Sequence, residues 1–447
     1  MRRIGSMPAV FSVSLTLAAS ASVWSRAATP RLHLPSAPVL RGEPIEISMS
    51  GITPGDTVRL VVASAVRRDG WRWRSWGHFV ATADGRVDVG RAAPVRGSWS
   101  GRDPSGPFWS GEWMQDSAMI GRLPDNTLAV SIDVRGMVVD TGSIALSETD
   151  TIAVDRIDVQ SNGVIAHFHR PRGARGRPAV LVLGGSEGGY PDRWAQSLAA
   201  RGWPALAVAY FGVPGTEPCL VNVPLERFDA AARWLASQPE VDSSRLAVLG
   251  GSKGAEGALR WASDGAPVRA VAAFSPAAYV KFGLPFNCDP SGPLSSWSRA
   301  GQPLPFIPAD GSGGRSAESM SAFYERSEQA ATADLQNAAR IRIDAFRGEL
   351  LVVAGDADEL SNTASAVRQL DALRRSAGQA ARTDAHIFSG AGHDVYGPAW
   401  RPSRPAPFAR LATGGSAEAN AIAQREGWVR LLHFLRRTIG EPRDGAR

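Results

Sequence analysis

Residues Gly250-Gly251-Ser252-Lys253-Gly254 constrain this chain more than any other stretch. The run ahead of them, Arg245-Leu-Ala-Val-Leu249, is short, apolar and strand-like, and Ala255 to Ser263 behind them reads as a helix. A serine with glycine two positions to either side, between a strand and a helix, predicts a sharp turn. A Cβ at either glycine would strike the flanking elements. Such a turn exposes the serine oxygen and points the amides that open the helix at any negative charge developing beside it.

Gly184-Gly185-Ser186-Glu187-Gly188 repeats the pattern after a second apolar run, Ala179 to Leu183. Here Gly189-Tyr190-Pro191 prolongs the segment as a loop, and a helix starts only near Asp192. The first motif therefore carries the nucleophile, Ser252, with Ser186 as the alternative. The second reads as a loop that lends a backbone N–H, from Ser186 or Glu187, to an oxyanion whose other donor is the N–H of Lys253.

Partners for Ser252 follow in the chain. Leu350-Leu-Val-Val353 runs into Ala354-Gly-Asp-Ala-Asp358, and an acid just past a strand end is placed to orient an imidazole. Asp358 is the preferred acid, with Asp356 and Glu359 as neighbours able to take the role. Ala385-His-Ile-Phe-Ser389 then leads to Gly390-Ala-Gly-His393, a glycine-rich loop that offers His393 as general base. The order Ser, Asp, His is that of the α/β-hydrolase fold. The other histidines fit less well: His386 lies in a strand, His433 in a terminal helix, His167 and His169 alternate along a strand, and His33 and His78 lie far upstream.

The rest of the chain divides in two. Residues 30–150 show alternating runs such as Thr57-Val-Arg-Leu-Val-Val62, separated by turns, which predicts an all-β, immunoglobulin-like sandwich. Trp71, Trp73 and Trp76 crowd one such run and read as packing residues. Residues 154–442 alternate strands and helices. Eight candidate strands (155–159, 163–169, 179–183, 204–209, 245–249, 268–274, 350–353 and 385–389) predict a mostly parallel α/β-hydrolase sheet. Residues 277–335, rich in Pro, Gly and Ser, break the rhythm and read as a cap over the substrate site.

Arg2 and Arg3, an apolar stretch from Met7 to Ala19 and small residues beyond it outline a secretory signal peptide over residues 1–27. Export, periplasmic or secreted, is the expectation; without such a leader the chain would be cytoplasmic. The stretch is too short for a membrane anchor, and no other long apolar run occurs. The net charge of +6 is spread rather than blocked, which argues against a nucleic-acid partner. All but two of the 49 basic residues are arginine; the lysines are Lys253, which reads as a solvated first-turn residue or a site group, and Lys281. Cys219 and Cys288 lack metal-ligand spacing and, in an oxidising compartment, can pair with each other.

Together these motifs resemble the acyl-CoA thioester hydrolase/bile acid-CoA:amino acid N-acyltransferase family. The likeness runs through Gly51-Ile-Thr-Pro-Gly55, Ala83-Asp-Gly-Arg-Val-Asp88 and the stretch from Gly97 to Ser110. It continues through Tyr210-Phe-Gly212, Val223 to Phe228, Gly251 to Glu256, Ser275 to Val280, Gly390 to His393 and Gly414-Gly415. The resemblance implies a triad of Ser252, Asp358 and His393 that hydrolyses a small-molecule acyl thioester without metal or organic cofactor. Acyl-transferring members use cysteine as nucleophile; serine here favours water as acceptor. A carboxylesterase or an acyltransferase on the same scaffold is the alternative. Leu360-Ser361 stand where the family has tryptophan, and Asp394 to Trp400 replace its usual apolar, proline-rich run. Both departures fall beside the site and bear on the substrate.

Overall fold

The computed structural model describes residues 29–67, 69–115, 124, 126–148, 153–286, 288–311, 319–398, 402–403 and 411–443. The expected leader, 1–27, lies outside the described residues.

Residues 29–148 form two sheets. The larger runs in the order Val39–Leu40, Met137–Ser147, Thr127–Val134, Thr57–Ser64, Trp71–Val80 and Arg96–Gly97, with Glu112–Gln115 also paired to Trp71–Val80; the smaller joins Arg31–His33, Ser48–Ser50 and Val87–Asp88. Alternation along Thr57–Ser64 sends Val58, Leu60 and Val62 inward, where they meet Ile132 and, from the smaller sheet, Met49 and Val87. The run is not purely β. Gly106–Trp109 makes one helical turn and buries Phe108 and Trp109. Of the three crowded tryptophans, Trp73 is buried in this core. Trp76 lies between the guanidinium groups of Arg59 and Arg96, 5.5 and 5.6 Å from its ring.

Residues 154–439 are built on an eight-stranded sheet: β1 (Val154–Ser161), β2 (Val164–Pro171), β3 (Arg177–Leu183), β4 (Ala205–Val208), β5 (Val241–Gly251), β6 (Ala270–Phe274), β7 (Glu349–Gly355) and β8 (Thr383–Phe388). The order is β1-β2-β4-β3-β5-β6-β7-β8. β2 pairs antiparallel with both β1 and β4, and every other pair is parallel. All eight strands expected from the sequence are present. The central ones are apolar throughout because both faces are covered. Leu181, Val248, Val271 and Val352 face one core; Val182, Leu249, Ala272 and Val353 face the other. The covering helices include α1 (Asp192–Ala199), α2 (Glu226–Ala236), α3 (Lys253–Ser263), α5 (Thr363–Ser376) and α6 (Ala417–Ile439). α6 also ties the two regions together: Ala421 joins the N-terminal core, and Arg425 reaches Asp103 at 3.2 Å. No helix among the described residues is long and apolar enough to cross a membrane.

After β6 the chain leaves the sheet. Trp297–Arg299 and Gln302–Pro303 form a small sheet with Val223–Pro224, and α4 (Met320–Ala330) follows. Cys219, after β4, and Cys288, in this excursion, are joined by a disulfide with Cα atoms 6.1 Å apart. It closes a sequence separation of 69 residues. Restricting so long a loop in the unfolded chain stabilises a fold by ~2–4 kcal/mol. Reduction, or the Cys219→Ala/Cys288→Ala double variant, is expected to lower the urea midpoint accordingly. A denaturation curve that coincides with that of the oxidised protein would show that the bridge adds nothing.

Candidate active site

Ser252 sits between the last residue of β5 and the first of α3, at φ 52° and ψ −119°. A side chain rarely adopts that backbone, and holding it there costs ~1–3 kcal/mol. The turn is held by Ser252 N–H donating to the Phe274 carbonyl (2.8 Å), and by Ala255 and Glu256 N–H donating to the Ser252 carbonyl. The flanking glycines are needed for space. A Cβ on Gly250 would lie 2.4 Å from the Gly254 oxygen, and one on Gly254 would lie 2.2 Å from the Gly184 oxygen.

His393 Nε2 lies 3.0 Å from Ser252 Oγ, and its Nδ1 lies 2.8 Å from Asp358 Oδ2. That geometry fits an Nδ1–H donated to the carboxylate and an Nε2 lone pair facing the serine hydroxyl. Asp358 is the acid that meets the imidazole; Asp356 instead accepts from Gly390 N–H at 2.6 Å. Asp358 accepts further bonds from the N–H of Leu360 (2.8 Å) and Ser361 (2.9 Å) and from the Thr363 hydroxyl (2.6 Å), so its oxygens are fixed. The histidine loop is equally constrained. His393 N–H donates to the Thr413 carbonyl, Gly392 N–H to Asn420 Oδ1 on α6, and the Ser275 hydroxyl to the His393 carbonyl at 2.6 Å. Burial pulls the His393 pKa down. The charge and hydrogen bond of Asp358, helped by Asp394 and Glu187, outweigh it and leave the imidazole above its ordinary value.

In front of Ser252 lies a largely apolar pocket. Leu284, Phe286, Met320 and Tyr324 come from the excursion after β6, and Leu360, Ser361 and Leu411 complete that side. Ser186 lines it beside Ser252 and Lys253. The Lys253 amide opens α3, where helix geometry leaves N–H groups without an internal acceptor. The loop after β3 is held by the Tyr210 hydroxyl, which donates to the carbonyls of Gly184 (2.6 Å) and Gly185 (3.2 Å). The Glu187 side chain does what its motif did not suggest: its carboxylate folds back to accept Gly185 N–H at 3.0 Å. The substituted positions of the sequence fall here as well. Leu360 and Ser361 line the pocket, and Tyr396 stands edge-on to His393 with centroids 6.4 Å apart.

Lys253 is not a solvated first-turn residue. Its ammonium is buried and makes three bonds, to Glu256 (3.0 Å), Ser296 Oγ (2.8 Å) and the Phe282 carbonyl (3.2 Å). Glu256 passes the contact on, accepting from Trp297 Nε1 and Lys281 N–H, each at 3.0 Å. Lys281 is buried too, bound to Glu328 on α4 (2.8 Å) and to Asn362 Oδ1 (2.6 Å), and it faces the Tyr324 ring. The chain's only lysines thus form one buried network that lines the pocket. Their rarity in so arginine-rich a sequence was the one signal that pointed to it. Tyr210 and Ser275 open two of the stretches that carried the resemblance, with no role assigned to either; Thr363 stood in none of them.

Residues 42–160 match the family model for the acyl-CoA thioester hydrolase/BAAT N-terminal region, and residues 223–441 match the model for the BAAT/acyl-CoA thioester hydrolase C terminus. The chain belongs to this family. It is an enzyme acting on thioester or ester bonds. Acyl-coenzyme A amino acid N-acyltransferase 1 of Mus musculus is 25% identical over 421 residues, 89% of this chain and 95% of that protein. Acyl-coenzyme A thioesterase 6 of Mus musculus is 30% identical over 233 residues, 49% of this chain and 54% of its own length. Among solved structures, an esterase from Pyrococcus furiosus superposes with a TM-score of 0.40 at 13% identity, covering 65% of this chain and 92% of its own.

The raised imidazole can be read directly. In an NMR pH titration His393 is expected to stay protonated above the ordinary histidine value of 6.5. Asp358→Asn removes the charge but keeps the burial, so the midpoint should fall below that value. A midpoint that does not move would mean that Asp358 does not govern the ring.

Proposed function

We propose that this enzyme is a serine hydrolase that cleaves acyl thioesters, acyl-CoA in the first instance, through an acyl-enzyme on Ser252. The observation that carries the reading is the unbroken hydrogen-bonded line from Ser252 through His393 to Asp358 at the floor of an apolar pocket. Ser252 Oγ attacks the acyl carbonyl while its proton passes to His393 Nε2, and Asp358 stabilises the imidazolium. The oxyanion is taken by the N–H of Lys253 and that of Ser186 or Glu187. As the carbonyl re-forms, the thiolate leaves and collects the proton from His393. Water then attacks the acyl-enzyme, gives its proton to His393, and the acid departs as Ser252 is reprotonated. Serine rather than cysteine at the nucleophile supports water as acceptor. The leader outlined by residues 1–27 supports export, where an acyl ester or thioester other than a CoA ester would be met.

Two experiments test this. Ser252→Ala is expected to lower kcat by roughly 10⁶ and to abolish labelling by a fluorophosphonate, because the members of such a triad act as a unit. Ser186→Ala should leave labelling intact. Labelling lost in Ser186→Ala and kept in Ser252→Ala would exchange the roles of the two motifs.

The second compares kcat/KM for an acyl-CoA, the same acyl group on a small thiol and its oxygen ester, with and without glycine as acceptor. Free acid from the thioesters, with the CoA ester alone weakened by added salt, is the expected result. An N-acyl product would make the enzyme a transferase. Cleavage confined to the oxygen ester would make it a carboxylesterase.

A further inference from the structure

His167 and His169 are two residues apart on β2, so both rings project from the same face of the strand. Asp192, the first residue of α1, meets them there. Both of its oxygens lie 2.9 Å from His167 Nδ1, and Oδ1 lies 2.7 Å from His169 Nε2. The three donor atoms fall within 4.8 Å of one another. The Tyr190 ring is stacked on His167 at 3.6 Å and fixes its plane. His169 is almost fully buried and Asp192 is partly open to solvent, which leaves a side for water ligands.

We propose that His167, His169 and Asp192 form a binding site for one divalent transition-metal ion, separate from the candidate active site. Two imidazoles and one carboxylate suit zinc, iron, nickel or copper and not calcium or magnesium, which take oxygen donors. Zn²⁺ holds such ligands at ~2.0–2.2 Å in a tetrahedron, which spaces the donor atoms roughly 3.3–3.6 Å apart, so the two carboxylate–imidazole contacts of 2.9 and 2.7 Å would lengthen slightly to admit the ion. The proton bookkeeping also closes. Without metal, His167 Nδ1–H and His169 Nε2–H are donated to Asp192. With metal, each ring binds through that nitrogen and carries its proton on the other. The other nitrogen of His167, Nε2, already faces Asp158 Oδ1 at 3.6 Å, an acceptor of the kind that commonly orients metal-bound imidazole. None of the three ligands lines the pocket around Ser252. Tyr190 and Asp192 instead border a second cavity of about 250 Å³, shared with Gly185, Glu187 and Gly251. An ion here clamps β2 to the start of α1, at the far end of the loop that carries Ser186.

The test uses the full chain, stripped with chelator and titrated with Zn²⁺ by calorimetry and with Co²⁺ by visible absorption, with Mg²⁺ as control. One equivalent of Zn²⁺, ligand-field bands with Co²⁺, and a Tm rise reversed by chelator are expected. His169→Gln and Asp192→Asn should lose all three, and Asp158→Asn should weaken Zn²⁺ by ~10-fold or more. Ser252→Ala should bind as the wild type does. Crystals of the wild type soaked in Zn²⁺ give a reading that needs no variant: an anomalous peak between the three side chains supports the site. Absence of that peak, no saturable Zn²⁺ binding by the wild type, or undiminished binding by folded His169→Gln and Asp192→Asn overturns it.

Discussion

Helix α3 approaches the ends of β3 and β5 so closely that no side chain fits between them. The Gly254 Cα faces the Gly184 carbonyl, and the Gly250 Cα faces the Gly254 carbonyl, at distances where a Cβ would overlap the oxygen. Two consequences follow. The first amides of α3 stand next to the loop after β3, so Lys253 and Ser186 border one space from different elements. Ser252 is also forced into a left-handed backbone, and its oxygen is lifted clear of the sheet toward His393. Strain at one residue is tolerated because the peptide bonds on both sides are anchored, to Phe274 and to the first turn of α3.

A second constraint is the burial of charge in the pocket lining. Lys253, Glu256 and Lys281 are removed from water and Glu328 is partly so, and each is compensated by an opposite charge or a polar neighbour. Breaking one partner of such a pair costs ~3–5 kcal/mol, although apolar replacements of a whole pair can be neutral. The network therefore acts chiefly to fix where the excursion after β6 sits relative to α3. The Cys219–Cys288 bridge ties the same excursion to the loop after β4. Together the two attachments hold Tyr324 and Met320 opposite Ser252.

Two histidine–aspartate clusters lie on this sheet, and they differ in what the rings face. At His393 one carboxylate holds one imidazole, and the free nitrogen meets a hydroxyl. At His167 and His169 one carboxylate is shared by two imidazoles, and among the described residues no hydroxyl is hydrogen-bonded to either ring. The first arrangement has the geometry to pass a proton along a line. The second gathers lone pairs around a point, which is the requirement for holding a cation.

The strands, their order of polarity and the turn at Ser252 were legible in the sequence. Apolar runs in β3, β5, β6 and β7 report a sheet covered on both faces, and glycine spacing reports a steric need that is local to the turn. The serine and the histidine followed from loop positions at strand ends; the cysteines were open to pairing, and the fold brought them together. The sequence favoured Asp358 over Asp356 and Glu359, but only the tertiary structure showed it against the imidazole. All three share one loop, and the choice depends on Thr363 and on the path of Gly414 alongside it. Only the tertiary structure buried Lys253, turned the Glu187 carboxylate back on Gly185, and brought Asp192 to two histidines more than twenty residues earlier in the chain. The reason is one of range. Backbone sterics and side-chain periodicity act over a few residues and leave their mark on the sequence. The direction of a side chain in a loop is set by whichever distant segment packs against it.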